Sequence, residues 1–192
     1  PALLNEALAH VGIEGLTVGE GWARLEPGAA VDLGALAKGE ALDRSADLLR
    51  SLGVETALIN LGGSVYGLGK KPDGSAWRVA IQRPFGGQGG YMGVVSVTDL
   101  CVVTAGVYER GFTLDGTYYH HLLDPATGMP RQTDLASVTI LYARGLAADA
   151  MSTICMLLGS EKALALVEGM EGMECVLICR DGSLRLSSGI GT

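Results

Sequence analysis

Three short stretches of this sequence gather side chains that can do chemistry. The first, Val31-Asp-Leu-Gly-Ala-Leu-Ala-Lys-Gly39, sets Asp32 ahead of small residues and Lys38 about one turn further on. A helix starting here would offer free N–H groups and a partial positive charge, which bind phosphate, and Lys38 would add a full charge. The same residues also read as an Asp N-cap followed by an ordinary surface lysine. The glycine spacing is not that of a Walker A loop. The second stretch, Ala148-Asp-Ala-Met-Ser-Thr153, places Asp149, Ser152 and Thr153 at i, i+3 and i+4, on one helix face. Hard oxygen donors in that arrangement suit magnesium, although Ser and Thr in helices also bond back to the preceding turn.

The third stretch runs Tyr118-Tyr-His-His-Leu-Leu-Asp-Pro-Ala-Thr-Gly-Met-Pro130. His120 and His121 are neighbours at the end of a strand, so they point to opposite faces, and one can enter a cleft while the other packs. Histidine is the commonest general base near neutral pH; two structural histidines are the other reading. Gly62 and Gly63, after Asn60-Leu61, permit either close approach of the backbone to a ligand or simply a turn. Arg110, in Tyr108-Glu-Arg110, can meet a phosphate or form a cross-strand ion pair. His10 stands alone and is assigned to structure.

These groups need a scaffold. Apolar spacing predicts an amphipathic helix over Ala35 to Leu52, stopped by Gly53, and helices over Ala147 to Leu158 and Glu161 to Glu168. Strands are expected over Ala57 to Asn60, Val65 to Leu68, Trp77 to Gln82, Gly93 to Thr98, Cys101 to Ala105 and Val138 to Tyr142. Asp115-Gly116 joins Tyr108–Leu114 to Thr117–Leu122 as a tight hairpin, and Asp181-Gly182 joins Glu174–Cys179 to Leu184–Ser187. The expected class is α+β, with mostly antiparallel sheets and two or three packed helices.

With 192 residues, 48% of them hydrophobic and 18% charged, the chain can bury a sizeable core, so one domain over 1–192 is expected. A net charge of −7 without basic clusters argues against nucleic acid as partner. Apolar runs such as Thr56 to Leu61 fall far short of the ~20 residues of a membrane-spanning helix. The chain starts at Pro1 without a signal-like segment, and removal of the natural N-terminus by processing or design is expected. Cys101, Cys155, Cys175 and Cys179 have no metal-binding spacing and are expected as buried free thiols.

Taken in order, VDLGALAKG, INLGGS, TAGVYERGF, YYHHLLDPATGMP and SVTIL followed by AADAMST resemble the motifs of the ApbE family of FAD:protein FMN transferases, from about Val31 to Glu168. The resemblance implies a T-fold-like domain lacking the family's N-terminal region. It implies that Asp32, Lys38 and Leu123 contact FAD, and that the Ala35 carbonyl joins Asp149, Ser152 or Thr153 in holding Mg²⁺. It puts the catalytic histidine in the pair, His121 being favoured over His120. The implied reaction moves FMN from FAD to a Thr or Ser hydroxyl of an acceptor flavoprotein subunit, of Rnf or sodium-pumping NADH:quinone reductase type, with release of AMP. FAD hydrolysis to FMN and AMP, or flavin binding without turnover, are the alternatives. Family members are commonly exported or lipid-anchored, so an extracytoplasmic location is expected, with the cytoplasm as alternative. Two positions depart from the family pattern: Ser64 follows the glycine pair where an acidic residue is frequent, and Val107 stands where Asp is frequent.

Overall fold

The computed structural model describes residues 2–86 and 89–191. Its centre is a six-stranded sheet built from β3 (Ala57–Leu61), β4 (Ser64–Leu68), β7 (Leu100–Gly106), β10 (Leu135–Tyr142), β11 (Glu174–Cys179) and β12 (Leu184–Leu186). The spatial order is β12-β11-β10-β7-β4-β3, and every pairing is antiparallel. Before it come α1 (Ala2–Leu8) and an exposed hairpin, β1 (Leu16–Gly19) with β2 (Trp22–Leu25). Two more hairpins, β5 (Trp77–Gln82) with β6 (Tyr91–Val97) and β8 (Gly111–Leu114) with β9 (Thr117–His120), leave the sheet and return. The helices α2 (Ala37–Ser51), α3 (Gly145–Leu158) and α4 (Ser160–Glu168) complete the α+β architecture.

Alternation along the strands sorts the core into two faces. Tyr66 and Leu68 of β4 join Leu42, Ala46, Ala148, Cys155 and Val167 of the helices, whereas Val65 joins Val79, Ile81 and Val97 of the β5–β6 hairpin. Each large aliphatic side chain so buried contributes about 1.5–3 kcal/mol of transfer free energy. In β10, Leu135 and then Val138 and Ile140 all face the helices, a change of parity that a bulge between Leu135 and Ser137 makes possible. The β5–β6 hairpin presses close to β4: a Cβ at Gly67 would stand 3.0 Å from both Trp77 and Val97. The Trp77 indole N–H donates to the Leu68 carbonyl at 3.1 Å.

The structure departs from the sequence expectations in four places. There are four α-helices among the described residues, the extra one being the exposed α1. The β1–β2 hairpin is unexpected: it is partly or fully exposed throughout, and its apolar alternation is confined to Leu16-Thr17-Val18. The strand expected from Tyr108 begins at Gly111, because Glu109 N–H turns back to the Gly106 carbonyl and Val107 N–H bonds Ala136. The strand expected from Val138 begins at Leu135, because the bulge hides its pattern. The Asp115-Gly116 turn forms as expected, with φ of 49° and 76°.

Candidate active site

The site is organised by the crossing of α2 and α3 near their N-termini. A Cβ at Gly39 would lie 2.1 Å from the Gly145 carbonyl oxygen and 2.8 Å from the Asp149 Cβ, so only glycine allows the approach. At that crossing the buried Asp149 carboxylate leaves its own helix to serve the other: Gly39 N–H donates to Oδ2 at 2.9 Å, and Lys38 Nζ donates to Oδ1 at 3.3 Å. In a continuing helix Gly39 N–H would reach the Ala35 carbonyl. That carbonyl is therefore left without a main-chain donor among the described residues. The Lys38 N–H likewise has no acceptor among the described residues. Ser152 donates back to the Asp149 carbonyl at 2.8 Å, whereas the half-buried Thr153 hydroxyl makes no such bond.

Asp32 sits further out than a cap would. Its Oδ1 accepts the Gly34 N–H at 2.6 Å, and a turn in which Leu36 and Ala37 N–H both reach Leu33 separates it from α2. The N-cap is Leu36, which has no side-chain acceptor, so the N-cap alternative for Asp32 does not hold.

Lys38 opens onto a cleft of about 640 Å³ between the β5–β6 hairpin and the β3–β4 turn. Gly62 and Gly63 line it with φ of 59° and 92°, a left-handed pair that side chains rarely adopt, and Asn60 Oδ1 fixes the turn by accepting Gly63 N–H at 3.0 Å. Tyr108 and Glu109 close the other side. The Glu109 side chain reaches solvent, yet crowding by the cleft wall raises its pKa above the usual carboxylate value; Lys38, His121 and Arg110 oppose this, and Asp149 adds to it. Glu109 thus lies within electrostatic reach of the lysine, the buried carboxylate and the histidine together.

The histidines divide as strand alternation requires. His121 is exposed, and its Nδ1 lies 3.1 Å from the Arg110 carbonyl oxygen. A carbonyl only accepts, so Nδ1 is the donor of this contact, and in the neutral imidazole that tautomer leaves the lone pair on Nε2, as a general base needs. His120 is buried, and neither ring nitrogen has a hydrogen-bond partner among the described residues; the nearby Arg131 main chain misses bonding geometry. Burial lowers its pKa, so it is held neutral. Leu123 is half exposed and bridges to Pro130. Arg110 forms no ion pair among the described residues, which leaves the cross-strand ion-pair reading without support.

The fold therefore brings Lys38, Gly62 and Gly63 to one cleft, with the buried Asp149 held behind Lys38, and Glu109 lies within electrostatic reach of His121 and Arg110. Asp32, Leu123 and His120 lie apart from the cleft lining. Among the groups not singled out from the sequence, Thr104 and Arg78 line the cleft, and Asp43 is a buried carboxylate; Thr104 opens the TAGVYERGF stretch, whereas Arg78 and Asp43 lie outside the stretches quoted above. No cluster of three His, Cys, Asp or Glu ligands occurs among the described residues, so any metal here relies on at most two of them together with other oxygens. The four cysteines are free and buried, and among the described residues no helix is long and apolar enough to cross a membrane.

Comparison with known proteins gives one answer throughout. The sequence model of the ApbE family matches residues 1–177. An FAD:protein FMN transferase of Treponema pallidum is 42% identical over 174 residues, covering 86% of this chain and 48% of the relative. One from Klebsiella pneumoniae is 39% identical over 163 residues, covering 85% and 50%. Among solved structures, an ApbE protein of Thermotoga maritima superposes with a TM-score of 0.88 at 30% identity, over 97% of this chain and 61% of that one. A flavin transferase ApbE from Vibrio cholerae gives 0.84 at 33% identity, over 96% and 60%. The chain spans about half the length of the curated relatives it matches.

Proposed function

The chain belongs to the ApbE family, and on that premise we propose that it carries the phosphate-handling and base-bearing part of a transferase that moves FMN from FAD to a hydroxyl of an acceptor flavoprotein. The observation that carries this reading is the buried Asp149, which holds Gly39 N–H and Lys38 at the N-terminus of α2 on the rim of the cleft. That arrangement suits a pyrophosphate. The unpaired Lys38 N–H and the lysine charge can receive phosphate oxygens. The Gly62-Gly63 turn lets a ligand lie against the backbone.

The donor set fits magnesium. Asp149 is desolvated and points at the α2 terminus, the Ala35 carbonyl is free of its helical donor, and Thr153 has an uncommitted hydroxyl. Ser152 is a weaker ligand, its hydroxyl being committed to the Asp149 carbonyl. Magnesium held there would neutralise pyrophosphate charge. Lys38 can then leave Asp149 for a phosphate oxygen.

His121 Nε2 takes the proton of an acceptor Thr or Ser hydroxyl. The hydroxyl oxygen bonds to the FMN-side phosphorus, the bond from that phosphorus to the bridging oxygen breaks, and AMP departs with the electron pair. The Arg110 carbonyl stabilises the imidazolium by holding Nδ1–H. The acceptor is taken to be a subunit of Rnf or sodium-pumping NADH:quinone reductase type, met outside the cytoplasm.

The test is mass spectrometry of such an acceptor domain incubated with the full natural protein, FAD and Mg²⁺. The acceptor should gain one FMN, and His121→Ala should slow the gain by about 10²–10⁴-fold. Release of FMN and AMP with an unchanged acceptor would establish hydrolysis instead. FAD bound but intact with every acceptor would reduce the protein to a binding module.

A further inference from the structure

Asp149 reaches Gly39 only if α3 enters the crossing at one height and one rotation, and its own helix does not set them. The N-cap of α3, Arg144, makes no side-chain capping bond. The first N–H groups of α3 are instead satisfied from α2: Asp43 Oδ1 accepts Gly145 N–H at 2.7 Å, and Oδ2 accepts Leu146 N–H at 3.1 Å and Arg144 Nε at 3.3 Å. Asp43 is 5% exposed, so those bonds are made in a dry environment, where an unmet N–H or carboxylate costs most.

The two helices exchange the same device. Gly39 and Asp43 are four apart on α2, and Gly145 and Asp149 are four apart on α3. Each glycine admits the other helix's backbone: a Cβ at Gly145 would stand 2.5 Å from the Gly39 carbonyl oxygen, and one at Gly39 would stand 2.1 Å from that of Gly145. Each aspartate accepts the N–H of the opposite glycine. The crossing is thus pinned at two points related by an approximate two-fold axis. One pin, Asp149, also holds Lys38, which lines the cleft; the other, Asp43, holds Arg144, which does not.

We propose that Asp43 is a positioning residue for Asp149: by capping α3 it fixes where the Asp149 carboxylate stands against Gly39 and Lys38, and so the geometry of the cation site. The cation part rests on the magnesium reading above. The positioning part does not.

The experiment follows the Gly39 amide by ¹H–¹⁵N NMR in wild type and Asp43→Asn, and measures Mn²⁺ affinity by electron paramagnetic resonance. An amide bonded to Asp149 exchanges slowly. Asp43→Asn sets an NH₂ or a single weaker acceptor against two N–H donors. Gly39 exchange should then rise at least about tenfold relative to Val138 and Ile140 in the sheet centre, and Mn²⁺ should bind about tenfold more weakly. Because coupling is reciprocal, Asp149→Asn should shift the Gly145 and Leu146 amides. A variant that melts earlier, yet keeps the wild-type Gly39 exchange and Mn²⁺ affinity, would overturn the proposal. Should Asp43→Asn fail to fold, unchanged Gly145 and Leu146 amides in Asp149→Asn would overturn it equally. Wild type that binds no Mn²⁺ would remove the magnesium reading, and the amide data would still decide the role of Asp43.

Discussion

Replacing Gly39 by alanine puts one methyl group where α2 and α3 touch. The new Cβ would lie 2.1 Å from the Gly145 oxygen, 2.5 Å from its carbon and 2.8 Å from the Asp149 Cβ, against 3.4 Å or more in ordinary contact. None of these atoms ends a flexible side chain, so the helices must part by roughly 1 Å in an interior that is close-packed. Overpacking of this kind costs about 1–3 kcal/mol. Parting also stretches the bond from Gly39 N–H to Asp149 beyond useful length, and a buried carboxylate losing that donor costs about 1–3 kcal/mol more. Alanine recovers about 1 kcal/mol of helix propensity. The net loss should be about 3 kcal/mol, read by urea denaturation followed by far-ultraviolet circular dichroism. Gly169→Ala is the control, because Gly169 closes α4 at φ −84° and its added Cβ meets nothing nearer than 3.5 Å. If Gly39→Ala proved as stable as wild type, the crossing would be loose, and Asp149 would not be fixed by the main chain.

Two further outcomes follow from burial. His120 has a folded pKa below its ordinary 6.5, chiefly through burial, with Arg180 and His121 adding repulsion. The unfolded chain therefore binds more protons, so stability is full above that value and falls as pH drops through 6.5 towards the folded pKa. His120→Leu should flatten this limb of the stability curve between about pH 7 and 5, and an unchanged slope would assign it elsewhere. Burial also pushes the Cys101 and Cys155 thiols up to about 12 and Cys175 to about 11. Their labelling by a disulfide reagent at pH 8 should track global unfolding in urea, and fast labelling of any of the three in native buffer would refute their placement.

What the sequence made legible was local. The Asp115-Gly116 and Asp181-Gly182 turns, the amphipathic α2 and the opposite facing of His120 and His121 all follow from spacing within a few residues. The partnership of Lys38 with Asp149 joins residues 111 positions apart, and no local pattern carries it. Asp43 was invisible for a related reason. Next to Arg44 and Asp47 it reads as one more charge on a solvated face, and only the arrival of α3 turns it inward. The bulge in β10 masked Leu135 and Ala136, because it breaks the parity by which a strand is recognised. Glu109 and Arg110 sit in a turn that the β-rich flanks disguised as strand.

The sheet order also says something about assembly. β7 and β10 are neighbours at the centre, with Gly106 opposite Ser137, yet all of residues 107–134, including both adjacent histidines, leave and return between them. The place of His121 relative to Lys38 is therefore set by an excursion whose two ends are fixed by the pairing that seals the sheet. Once sealed, the excursion is tethered at two adjacent points. Doubling its length would add only about 0.6 kcal/mol of closure entropy, which gives the segment room to change size around an unchanged sheet.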